Sequence, residues 1–223
     1  MMDLSSHIEL SMMTADDFEE TMTFLREQYV NRNPLRIACG ETVQKTYREP
    51  LMTDVRKCLA SGLSVSARDK TSQTLAGIFL SLPQDVDETS EDDDVETDNM
   101  CIVHRVLKLL SADTQVFKEM NVHMVLDMSV LCVHEDYCGR GLGSRLMEKS
   151  LLLGEEQGYA VACVMCTNSL TERICARFGF HTVKTLNLIS VADELSIDIS
   201  LIPGETDLKM MIKTFSSKTA HLH

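Results

Sequence analysis

Apolar positions along the chain follow two rhythms. Short, near-continuous or alternating runs fit strands, and longer segments with helical spacing fit amphipathic helices. Their succession predicts an α/β domain. His7–Met13 is a candidate first strand, followed by a helix that Thr14 caps and that runs to about Val30. Asp16 and Asp17 favour its first turn through the helix dipole. Asn33-Pro34 ends it, because proline disfavours helical geometry in the residue before it. A second helical stretch spans Glu41–Ala60, expected to be kinked or split near Pro50 and stopped at Ser61-Gly62. Ser64–Arg68 and Thr74–Leu82 read as a hairpin, and Ile102–Leu110 as a short amphipathic helix. Met124–Val133 is the central strand, apolar enough for burial on both faces. A helix over Gly141–Gln157, a strand over Tyr159–Met165 and a helix over Leu170–Arg177 follow. His181–Ile189 and Leu208–Thr214 are the last strands. Neither internal repeats nor a linker divide the chain, so 1–223 is read as one domain.

Charge changes this picture in one place. Nine acids and no base crowd into residues 85–99, and without them the formal net charge of −13 falls to −4. The segment 84–99 therefore reads as an acidic loop insertion. The remainder lacks the basic face that a nucleic acid requires. No segment reads as a secretion signal or a membrane span. Eight cysteines in such a chain are expected to be reduced thiols of a cytoplasmic protein, monomeric by default. Cys163 and Cys166 resemble a metal or redox pair. Their odd offset within a strand sends the side chains to opposite faces, so no metal site is expected.

The candidate chemistry starts where the central strand runs into HEDYCGRGLGSRL. Glycines at 139, 141 and 143 opening a helix make an anion cradle of backbone N–H groups at the positive end of the dipole. Arg140, Arg145 and Lys149 add positive charge. The loop lacks the lysine of a P-loop. Four residues separate it from the strand, and the next strand ends in Cys166, Thr167 and Asn168, with no carboxylate to hold a ribose.

Cys138-Gly139-Arg140-Gly141-Leu142-Gly143, followed by Asn168 and then Gly179-Phe180, resembles the GNAT superfamily of acetyl-CoA-dependent N-acetyltransferases. Only the first residue of the loop signature, normally Arg or Gln, departs. SGLSVSARD with LAGIFLSL, and the stretch VLKLLSADTQVFKEM, are similar to the insect-type arylalkylamine N-acetyltransferases. The likeness runs over Ala15–Phe215 and is densest from Val106 to Phe180.

The resemblance implies a single domain with a mixed, centrally splayed sheet flanked by helices. It implies acetyl transfer from acetyl-CoA to a small amine, arylalkylamine or polyamine, within a ternary complex. Leu131, Cys132 and Val133 would hold the pantetheine through their main chain. A backbone N–H near Leu131 would polarise the acetyl carbonyl. Cys138, Gly139, Arg140, Gly141, Leu142, Gly143 and Ser144 would hold the pyrophosphate. Asn168 would anchor the far arm, or simply cap a helix. Thr167 and Thr171 would keep a hydroxyl path for protons, and Cys175 stands where many relatives place a thiolate-protonating tyrosine. The family's glutamate base is replaced by Asn33. By strand parity Asp127 and Ser129 share a side with Leu131: if that side meets the cleft, Asp127 is a candidate base, and if it faces a helix, Asp127 must be paired or near the strand end; His123 and His134 flank the strand. A CoA-binding relative without catalysis and a protein N-acetyltransferase are the alternatives.

Overall fold

The computed structural model describes residues 7–42, 49–87, 101–112 and 115–215. Seven strands form one sheet: β1 (Ile8–Met12), β2 (Val65–Asp69), β3 (Leu75–Asp85), β4 (Met124–Val133), β5 (Val161–Cys166), β6 (His181–Asn187) and β7 (Asp207–Thr214). Their order across the sheet is β1-β2-β3-β4-β5-β7-β6. The β4–β5 pair is parallel and every other pair antiparallel. The helices are α1 (Phe18–Leu25), α2 (Pro34–Ala38), α3 (Glu49–Ala60), α4 (Ile102–Ser111), α5 (Gln115–Glu119), α6 (Leu142–Glu156), α7 (Ser169–Arg177) and α8 (Ala192–Leu195).

Two packed faces bury the sheet, as a strand-rich centre demands. Under α6 and α7, Leu126, Met128 and Val164 meet Leu142, Leu146, Met147 and Cys175. On the opposite face α1 and α3 cover Ile78, Leu80 and Cys132 through Met22, Leu25, Val55 and Leu59. Beside them α2, α4 and α8 cover Val125, Val161 and Cys163. Cys163 and Cys166 thus lie in opposite cores, as their spacing requires.

Several local signals act differently from their reading in the sequence. The first helix is compound: a 3-10 turn at Ala15–Asp17, then α1, then a π-helical turn at Arg26–Val30. Asn33-Pro34 ends that run and also starts α2. The Asn33 side chain accepts from the Arg36 N–H at 3.2 Å, and proline at the first helical position sacrifices no hydrogen bond. Pro50 is the second residue of α3, and residues 43–48, over which the expected helix would run into it, lie outside the described residues. β3 continues through Pro83 to Asp85, where β4 is its sole neighbour because β2 pairing stops at Phe79. Residues 88–99 of the acidic insertion lie outside the described residues. The sheet edge at β6 ends at Asn187, and short turns carry the chain to β7.

Two irregularities in β4 position the site. Ser81 pairs with Met128 while Leu80 pairs with Val130, so Ser129 is the extra residue of a bulge. The parallel pairing with β5 is confined to Leu126↔Ala162 and Asp127↔Cys163. Beyond Asp127 the two central strands part, which is the expected splay.

Candidate active site

The bulge overturns the parity expected for β4. Leu126 and Met128 before it, and Leu131 and Val133 after it, all pack towards α6. Asp127 and Ser129 lie on the other face, beside α3, and do not share a side with Leu131. One extra residue in the strand inverts the alternation downstream.

Backbone groups in the splay follow from the ladder. The His134 N–H donates to Ala76 O at 2.9 Å. Hydrogen-bonded and non-bonded pairs alternate in an antiparallel ladder. With Cys132 opposite Ile78 and Val133 opposite Gly77, Cys132 spends its main-chain groups on β3, while those of Leu131 and Val133 point into the gap. The expected trio of 131–133 is therefore two usable residues. Cys132 is 6% exposed and its thiol is pushed up to about 12 by burial. One gap-facing acceptor is already engaged: Arg32 Nη1 donates to Val133 O at 3.1 Å. Arg32 Nη2 lies 3.3 Å from the Cys138 sulfur. A guanidinium thus stands at the mouth of the loop, although the loop's own first residue is a cysteine. Gln28 Oε1 fixes this arrangement by accepting from Arg32 and from the Glu135 N–H, each at 3.1 Å.

Gly139 and Gly141 have φ of 72° and 80°, and a side chain at either would meet no atom of the protein within 4 Å. The backbone is left-handed and open to solvent on that side, as a ligand cradle requires. Gly141 is the N-cap of α6, so the N–H groups of Leu142, Gly143 and Ser144 have no partner within the helix. Gly143 answers a different need: a Cβ there would stand 3.2 Å from Ile174 Cδ1, so its glycine permits α6 to approach α7. Leu142 is 1% exposed and contributes its backbone alone. Exposed Arg140 lies with its guanidinium 6.0 Å from the Tyr137 ring.

A small cleft of about 30 Å³ opens where the strands part. Asn33, Ser129, Leu131, Thr167, Asn168 and Thr171 line it, together with Tyr29, Phe79, Met128, Val164 and Met165. Six residues singled out from the sequence converge here. Tyr29 was missed because it rides on the π turn, and helical periodicity carries no signal for such a turn. Its ring is held by the Arg36 guanidinium 5.2 Å from the centroid, and Arg36 in turn pairs with Glu41 at 2.5 Å.

Several cleft residues serve as caps. Asn33 Oδ1 is occupied by the Arg36 N–H. Asn168 Oδ1 accepts from the Thr171 N–H at 2.9 Å and from the Thr171 hydroxyl at 3.2 Å. Asn33→Ala and Asn168→Ala are each expected to lower stability by about 1 kcal/mol, read as a shift of the urea midpoint. An unchanged midpoint in both would show that neither cap matters to the fold.

The remaining candidates separate by position. Asp127 receives the Ser129 hydroxyl at 2.5 Å. Burial, reinforced by the charge of Asp54, pushes its carboxyl up to about 6 against that hydrogen bond. Cys175 is 0% exposed, with its sulfur 3.6 Å from that of Cys166. It belongs to the core and not to the cleft wall, so a proton-donor role at the cleft does not fit it. His123 pairs with Asp87 at the far end of β4, beside a larger hollow lined by Asn121 and Tyr159. His134 is turned towards Tyr137 and Phe24. Neither histidine reaches the cleft.

No family model matches the chain. Among solved structures, arylalkylamine N-acetyltransferase 2 from Aedes aegypti superposes with a TM-score of 0.81 at 20% identity, over 94% of this chain and 99% of that one. A Drosophila melanogaster polyamine N-acetyltransferase that forms N-acetylagmatine gives 0.77 at 21% identity, over 93% and 100%. Arabidopsis thaliana Naa50, solved with a CoA-acetyl-peptide bisubstrate analogue, gives 0.53 at 14% identity, over 94% and 99%. A mixed sheet parted at its centre, shared over nearly the whole length of these proteins, identifies the chain's fold as that of the GNAT acetyltransferases.

Proposed function

We propose that the protein is an acetyl-CoA-dependent N-acetyltransferase that acetylates a small primary amine, an arylalkylamine or a polyamine, by direct transfer. The observation that carries this reading is the divergence of β4 and β5 after Asp127 and Cys163. It leaves the gap-facing main chain of Leu131 and Val133 beside the left-handed glycine loop. A pantetheine arm carries amide groups at a spacing that such a strand edge can pair with. Its pyrophosphate suits the open N–H groups from Gly139 to Ser144. Bound there, acetyl-CoA would supply an activated acyl group, and this chain would hold and orient it.

The protein's own part is positioning and proton handling. The Leu131 N–H, turned into the gap, can donate to a developing oxyanion. Arg32 would have to exchange Val133 O for the ligand, which brings its charge to the phosphates. The cleft walls of Tyr29, Phe79, Met128 and Met165 exclude water from the amine. A neutral asparagine in place of a glutamate at position 33 cannot take the ammonium proton, so the base must stand elsewhere. The reading is tested by thermal unfolding with ligand. Acetyl-CoA at 100 times its Kd should add about 2.7 kcal/mol of stability, whereas NAD and ATP at the same concentration should shift the midpoint far less. Equal shifts for all three, or none at millimolar acetyl-CoA, would contradict it.

A further inference from the structure

We propose that Ser129 and Asp127 form the proton-accepting dyad of the transfer reaction, an inference that rests on the reading above. Ser129 lines the cleft, and its hydroxyl donates to Asp127 Oδ2. Ser129 shares the side of Asp127 by the ordinary two-residue alternation of a strand, and as the residue without a counterpart on β3 it also borders the splay. Asn33 lines the same cleft from across it, so a proton leaving an amine held there meets Ser129 directly.

Proton balance is simple. The substrate ammonium gives one proton to Ser129 Oγ as Ser129 passes its own to Asp127, and the neutral amine then attacks the acetyl carbonyl. When the new C–N bond forms and the C–S bond breaks, the second nitrogen proton goes to the departing thiolate. Asp127 returns its proton to solvent. The groups facing it define that exit. Asp54 and Cys58 come from α3 and Cys163 from β5. His104 of α4 stands behind, with Nε2 3.5 Å from Asp54 Oδ2. Cys58 and Cys163 are buried thiols held protonated and do not compete for the proton. Among the described residues that line the cleft, none besides Ser129 is bonded to a carboxylate that can accept a proton.

The test compares the native chain with Asp127→Asn and Ser129→Ala. Acetyl-CoA binding is read from the thermal shift, and N-acetylated product from a panel of arylalkylamines and polyamines is read by mass. Asp127→Asn should keep the acetyl-CoA shift and lose ~10²- to 10⁴-fold in turnover. It should also lose the low-pH limb of the kcat/KM profile. Ser129→Ala truncates an exposed side chain, so it keeps the fold. It should lower turnover while retaining that limb, since the carboxylate remains. Turnover and pH profile unchanged in both variants would overturn the dyad and leave the acetyltransferase reading intact. Acetyl-CoA binding by a native chain that acetylates no amine would overturn the dyad and the acetyl-transfer reading together. An absent acetyl-CoA shift in the native chain would instead sink the underlying reading.

Discussion

Gly141→Val is expected to abolish the acetyl-CoA thermal shift while leaving a folded protein. At φ of 80°, Gly141 occupies a conformation that a β-branched residue adopts only with strain. Relaxing that strain would move the first N–H groups of α6 away from their common target. The added side chain would also project into the open space where phosphates approach. The two effects act together against binding. The fold is affected less, because the residue is exposed and its Cβ would touch no protein atom. Gly143→Ala is the informative companion. Its methyl group would press on Ile174 of α7, so it should cost stability first and binding second. A Gly141→Val protein that still binds acetyl-CoA as tightly as the native chain would place the pyrophosphate elsewhere.

The second large effect runs against intuition for a buried acid. Asp127→Asn should raise stability at pH 8, although it removes a charged group that accepts a hydrogen bond. The carboxyl titrates near 6 in the native protein, against about 3.9 in an unfolded chain. Between those values the native state holds a proton that the unfolded state has lost. Stability contributed by this group is therefore full below about pH 4 and is lost as pH rises through 6. Above pH 6 the charged native carboxylate costs about 2 kcal/mol after allowance for its partial exposure. Asparagine keeps an oxygen for the Ser129 hydroxyl without the charge. The variant's Tm should exceed the native value by roughly 4–8 °C at pH 8, and the difference should vanish near pH 4. A gain in stability paired with a loss in activity is the mark of a group placed for chemistry. A destabilised variant at pH 8 would mean that Asp127 is a structural partner.

The parts of this site that could be read in the sequence are those with short-range physical signatures. Glycines at 139 and 141 announce a left-handed, open turn because few other residues tolerate it. Asn168 announces a helix start, and its cap is formed. The strand from Met124 to Val133 is legible because burial on both faces demands a run that is apolar at nearly every position. What was not legible depends on tertiary pairing. The bulge at Ser129 exists only through its register with Leu80 and Ser81, and it turns Leu131 away from the side that Asp127 and Ser129 share. Asn33-Pro34 reads equally well as a stop and as a start, and here it is both. Arg32 looks like an ordinary solvent-exposed charge until the loop after β4 folds back to meet it. Cys175 has the right spacing for a cleft residue, yet it is buried in the core with its sulfur against that of Cys166.

The claim that joins these observations is that the parted strands serve acetyl transfer to an amine. Incubation of the native chain with acetyl-CoA and single amines, followed by mass detection of the N-acetylated product, tests it most directly. Product should form with at least one arylalkylamine or polyamine, at a rate that rises through pH 6. Tight acetyl-CoA binding with no acetylated product from any amine at any pH would contradict it.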